Sequence, residues 1–429
     1  QEMTQLRITL GRREGQNRRA DLYFRFAEIY LEAYRSAYLL EGRVHDKRLA
    51  ANVADSQIDH SYSRPNLERG IKASEDILKS GIPFDKLDQV HYFLAYNYGE
   101  LGDRKKSLAY FEQIKNRFPQ SPYAGVALKE LGDEAFAARD FRRALELYEQ
   151  GLLRAAPDTA PRLLHKLSWA HYRLRQFPQA LARMKEAIER ASGGGEKFLS
   201  IKEEGLRDLA VFYTETGKVD EAIEYFSKTA GDATFYPKLL ERLGKQYERG
   251  VETGKATQVY ESLLKTHPMS EESFRVLVKL VDLDLRQGRL KEALGRLKGV
   301  KLPSGNSETQ VALQNLRAMV RRVATERHQA FRNQGKPADL AIAESFYAAY
   351  LDPFLKADDP RNESPEIQMY LAEVKRELGK SSEASALYRK VVESGDKRYV
   401  KEAGALWTAS LAEAIQKSQA ARKGARQND

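Results

Sequence analysis

The chain has 429 residues, 71 of them basic and 61 acidic, for a formal net charge of +10, and it contains no cysteine. The missing thiols exclude disulfides, zinc–thiolate sites and a cysteine nucleophile. No uncharged apolar run approaches the roughly 18 residues needed to cross a bilayer. Ala, Leu, Glu, Lys and Arg dominate, and opposite charges interleave at helical i,i+3 and i,i+4 offsets, so helix is expected throughout.

At the front, DLYFRFAEIYLEAYRSAYLL has helical spacing, with Phe26, Ala27 and Tyr30 on one face. Its expected partner is NLERGIKASEDILKSGIP, and EGRVHDKRLAANVADSQIDHSYSR is inserted between them. Residues 1–84 therefore read as one atypical helical repeat with a long insertion. From residue 85 a pattern recurs. FLAYNYGELGDRKKSLAYFEQIKNRFP sets it as Leu94, Ala95, Tyr98, Ser107, Phe111, Ile114 and Pro119. The same offsets return from Leu131, Leu167, Leu209, Leu243 and Leu280, the last copy ending at Val300, and again from Leu371. Self-similarity at such a period marks stacked supersecondary units.

Each unit reads as a helix, a short turn and an antiparallel second helix. Small residues opening the second helix (Ala144, Ala180, Ala222, Ala256, Ala293, Ala384) let it approach the first closely. Glycine in the turn (Gly102, Gly217, Gly288, Gly379) permits a left-handed cap. Proline after the second helix (Pro119, Pro268) stops it. GVETGKAT mimics a phosphate loop, but Gly250 and Gly254 stand one residue too close, and Ala256 replaces the magnesium-binding hydroxyl. It reads as one more interhelix turn.

This pattern resembles the tetratricopeptide repeat family. The resemblance implies an all-α fold, a right-handed α-solenoid of helix hairpins. It implies six repeats over 85–300, a degenerate elongated helix pair over 301–364, and a final repeat with a capping helix over 365–429. In that last helix Trp407 and Leu411 are expected to be buried.

The resemblance also implies that first helices line a concave face. Positions there not needed for packing include Tyr92, Tyr96, Lys129, Phe136, His165, Trp169, Tyr172 and Arg173. Aromatics beside Arg and His are the composition of a partner-binding surface. Catalytic constellations do not stand out: neither H-E-x-x-H nor G-x-S-x-G occurs, and the seven histidines are scattered. His165 and His171 are six apart, on different helix faces, which argues against a shared metal. No catalytic residue, cofactor or metal is expected.

The favoured expectation is a non-enzymatic scaffold that binds a protein or peptide in the concave groove. Basic stretches such as RAMVRRVATERHQAFR leave nucleic-acid or acidic-surface binding as an alternative. A targeting subunit of a motility or enzyme complex is a third reading. RFPQSPYAGVALKELGDEAFAARDFRRALELYEQ looks like repeats of bacterial envelope proteins of outer-membrane assembly and the Tol–Pal system. DLYFRFAEIYLEAYR resembles periplasmic repeat proteins of deltaproteobacterial gliding machinery. Together with the absence of cysteine, these make the periplasm the expected location, with the cytoplasm as the alternative.

Overall fold

The structure is a computed structural model describing residues 2–11, 18–51, 57–231, 234–298, 307–351 and 363–425. Among the described residues every regular element is a helix. The chain divides after Thr216 into two compact units.

The first unit holds α1 (Glu2–Gly11), α2 (Arg19–Ala50), α3 (Ser63–Ser80), α4 (Leu87–Glu100), α5 (Arg104–Arg117), α6 (Ala124–Ala137), α7 (Phe141–Leu152), α8 (Ala160–Arg173), α9 (Phe177–Ser192) and α10 (Leu199–Thr216). Neighbours pair as hairpins, α2 with α3, α4 with α5, α6 with α7 and α8 with α9, and successive pairs stack on one another. The second unit holds α11 (Val219–Thr229), α12 (Phe235–Arg249), α13 (Thr253–Thr266), α14 (Glu271–Arg286), α15 (Leu290–Leu297), α16 (Ser307–Gln334), α17 (Pro337–Tyr350), α18 (Ser364–Glu377), α19 (Ser381–Ser394) and α20 (Val400–Ala425). It too is built of paired neighbours.

The recurrent residues do what their sizes require. Ala144 and Ala180 in the first unit, and Ala256, Ala293 and Ala384 in the second, are essentially free of solvent. Gly132 is a helix-interior glycine because a Cβ there would stand 2.5 Å from Tyr148 Cε1. Gly244 bears the same relation to Tyr260. The helices therefore approach with an aromatic ring set against a bare backbone.

The interhelix turns share one geometry. Gly102, Gly217, Gly288 and Gly379 all have positive φ, between 67° and 85°. In the other copies the left-handed residue is Arg139, Arg175 or Val251. The following amide closes the helix, as Asp103 N does to Tyr98 O at 2.8 Å and Glu252 N to Tyr247 O at 2.9 Å. GVETGKAT is thus an interhelix turn whose glycine is misplaced: Gly250 keeps φ −80° and Val251 takes the strained position.

Two features depart from the sequence pattern. Much of the insertion in the first repeat is helix, because α2 runs on through EGRVHDKRLA. Glu41 in this extension is buried and accepts from the amides of Tyr62 (2.9 Å) and Ser63 (2.8 Å), which satisfies the start of α3. In α20, Ala403 and Ser410 are buried and Trp407 is half-buried, but Leu411 is 46% exposed, contrary to expectation. Helical spacing explains it, since the packed stripe of 403, 407 and 410 leaves residue 411 turned about 100° away from 410. The repeat position Val300 lies outside the described residues.

Candidate partner-binding groove

Helices α6 and α8 are the first helices of two successive pairs in the first unit, and α10 follows them in the same unit. Between them lies an open groove of about 690 Å³, lined by residues that include Phe136, Tyr148, Arg162, His165, Trp169, Arg173 and Glu204. Trp169 forms its central wall. The indole Nε1 donates to Asp208 Oδ2 at 2.8 Å, and the ring meets the buried Phe212 edge-on with centroids 5.0 Å apart. Both contacts come from α10, so one side of the indole is fixed while it remains half-exposed on the groove side.

Behind it, Tyr172 stacks on Phe212 at 4.8 Å with an 11° interplanar angle and donates to Glu215 at 3.2 Å. Burial and the Glu215 carboxylate push its phenol upward. Arg173 lies over the Trp169 ring at 5.9 Å.

The floor is a charge cluster. Asp133 accepts from Tyr148 at 2.7 Å and lies 2.9 Å from Lys166 and 3.0 Å from Lys129. Burial opposes its charge, but these three donors outweigh that effect and hold the carboxyl below its ordinary range. Lys129 and Lys166 are therefore already neutralised. Arg162 and Arg173 pair with no carboxylate among the described residues, and they stand three helical turns apart on α8. Glu204 likewise has no cation.

The eight sequence-predicted residues do not all meet. Phe136, His165, Trp169 and Arg173 line this groove together. Tyr172 supports it from behind, and Lys129 lines a neighbouring hollow of about 590 Å³ that shares Arg162. Tyr92 and Tyr96 sit on α4, outside the lining: Tyr92 stacks on Tyr123 at 4.4 Å, and Tyr96 is 48% exposed. Residues outside the predicted set complete the site. Tyr148 reaches in from a second helix, across the space that Gly132 leaves open. Ser200, Ile201 and Glu204 come from the first turns of α10.

His165 Nε2 lies 2.9 Å from Asp208 Oδ2, and a Glu204 oxygen joins them, all three ligand atoms within 4.8 Å of one another. His171 faces elsewhere. It is buried, with Nδ1 2.7 Å from Gln176 Oε1.

No curated protein matches the chain. Among solved structures it is similar to YrrB, described as a TPR protein with an unusual peptide-binding site, at 14% identity over 47% of this chain and 96% of that one, with a TM-score of 0.34. It is similar to MamA at 16% identity, covering 43% and 95%, with a TM-score of 0.30. It is also similar to pilF of Pseudomonas aeruginosa at 13% identity, covering 60% and 96%, with a TM-score of 0.34. The family models for the tetratricopeptide repeat match residues 92–121 and 165–237, the second stretch beginning at His165 in the wall of the groove.

Proposed function

We propose that this chain is a non-enzymatic interaction scaffold and that the groove between α6, α8 and α10 takes a segment of a protein partner. The carrying observation is Trp169, held from behind by Asp208 and Phe212 yet open to a groove flanked by two uncompensated guanidiniums. A rigid, half-exposed indole beside arginine is the composition of an interface hot spot, since little side-chain freedom is left to lose on binding. The partner is an acidic segment carrying at least one apolar side chain, because the unpaired cations are Arg162 and Arg173.

Capture of partners from the source cell by wild-type chain and by the Trp169→Ala/Arg173→Ala variant tests this. The double variant is expected to lose at least about 2 kcal/mol of binding, some thirtyfold in affinity. Equal capture by both forms would remove the groove from consideration. A cell-envelope assembly is the setting we favour, on the short resemblances at residues 21–35 and 117–150 and the lack of cysteine. Release of the native protein by osmotic shock supports a periplasmic location, and retention with the cytoplasm refutes it.

A further inference from the structure

We infer that His165, Glu204 and Asp208 form a binding site for a divalent transition cation. Glu204 and Asp208 are four residues apart on α10 and so share one helix face. His165 projects from the facing α8. The three ligand atoms already lie within 4.8 Å of one another, a nitrogen and two carboxylate oxygens from two packed helices.

The cluster itself carries two carboxylates, although Arg162 and Arg173 line the same groove. Carboxylates at i,i+4 repel each other. Asp208 is met by the His165 ring and the Trp169 indole, but Glu204 faces it with no positive partner among the described residues. Lys166, the nearby ammonium, is drawn to Asp133 instead.

With metal–ligand bonds of about 2.0–2.1 Å in a tetrahedron, neighbouring ligand atoms stand about 3.3 Å apart. From a spread of up to 4.8 Å the ligand atoms must draw together by about 1.5 Å at most, a movement that rotation of the exposed Glu204 side chain can supply. His165 Nε2 and Asp208 Oδ2 are at 2.9 Å, so the pair must open by only a few tenths of an ångström. The Trp169 N–H already holds the Asp208 carboxylate, the kind of outer contact that orients metal ligands. Imidazole with two carboxylates suits zinc and its neighbours better than calcium or magnesium, which prefer all-oxygen shells. Three protein ligands leave a position facing the groove. The site does not depend on the groove taking a peptide.

The test uses the full chain, stripped with EDTA and titrated with zinc chloride by calorimetry near neutral pH. One equivalent is expected to bind. Glu204→Gln, an exposed change that leaves the helices intact, and His165→Gln are each expected to weaken binding at least tenfold, about the loss seen when only an outer contact is removed. In a Trp407→Phe background the sole remaining indole is Trp169, and its emission should change in step with zinc uptake. The Glu204→Gln comparison decides. Absence of saturable uptake by wild type, or undiminished affinity in Glu204→Gln, overturns the site.

Discussion

At the scale of single residues, the turn residues carry the clearest sign of compromise. A β-branched residue in the left-handed region is strained by about 1–2 kcal/mol, and Val251 sits there at φ 61°, 80% exposed, while its neighbour Gly250 occupies an ordinary conformation. Val251→Gly should therefore raise stability by about 1 kcal/mol once glycine's greater unfolded-state entropy is subtracted, read as an upward shift of the thermal midpoint. An unchanged or lower midpoint would show that the turn relaxes without cost. The small-residue positions were readable in advance, because alanine or glycine recurs wherever a ring must lie against backbone. The route of Tyr148 into the groove was not. Residue 148 falls on a packing position of the repeat, and nothing local shows that Gly132 lets its hydroxyl reach Asp133 on the other side.

At the scale of elements, α16 carries a titratable group at its junction with α17. His328 is buried, its ring meets Tyr347 edge-on at 6.0 Å, and Nε2 has no hydrogen-bond partner, Glu377 standing 3.5 Å away. Burial, reinforced by Arg332, lowers its pKa from 6.5 to about 4. The unfolded chain therefore takes up a proton that the folded chain refuses. The stabilisation is complete above about pH 6.5, and it falls away as pH drops toward 4, by about 2 kcal/mol at pH 5. Denaturant titrations at pH 7 and pH 5 should show His328→Gln losing less stability on acidification than wild type. Identical losses would mean that the ring finds a proton acceptor when charged. Element boundaries were harder to foresee than element identity. The extension of α2 has charges at every offset and no apolar stripe, and the amides that Glu41 satisfies lie some twenty residues later in sequence. The first turns of α10, from Leu199, carry none of the repeat residues, which resume only at Leu209.

At the scale of the whole molecule, the net charge of +10 overstates the free positive surface. Many basic side chains lie within ion-pair distance of a carboxylate. Arg104 reaches Glu130 and Glu134, Arg143 reaches Glu112, and Lys375 reaches Glu344 and Glu383. Individually the exposed ones contribute little stability, but each pair lowers the local potential that a polyanion would meet. Binding of duplex DNA should accordingly be no tighter than the non-specific range of about 10⁻⁴–10⁻⁶ M at physiological salt, and should fall steeply as salt rises. Nanomolar, sequence-dependent binding would reverse the choice between scaffold and nucleic-acid reader. The repeat architecture was open to reading because one constraint is restated along the chain, whereas a groove assembled from three different repeats is stated only once.

The indole of Trp169 belongs to α8 and its acceptor Asp208 to α10. Any bending of the first unit that slides α8 past α10 must strain that bond, together with those from His165 to Asp208 and from Tyr172 to Glu215. Residue 169 is thus placed as a built-in strain gauge, its fluorescence tied to the curvature of the array.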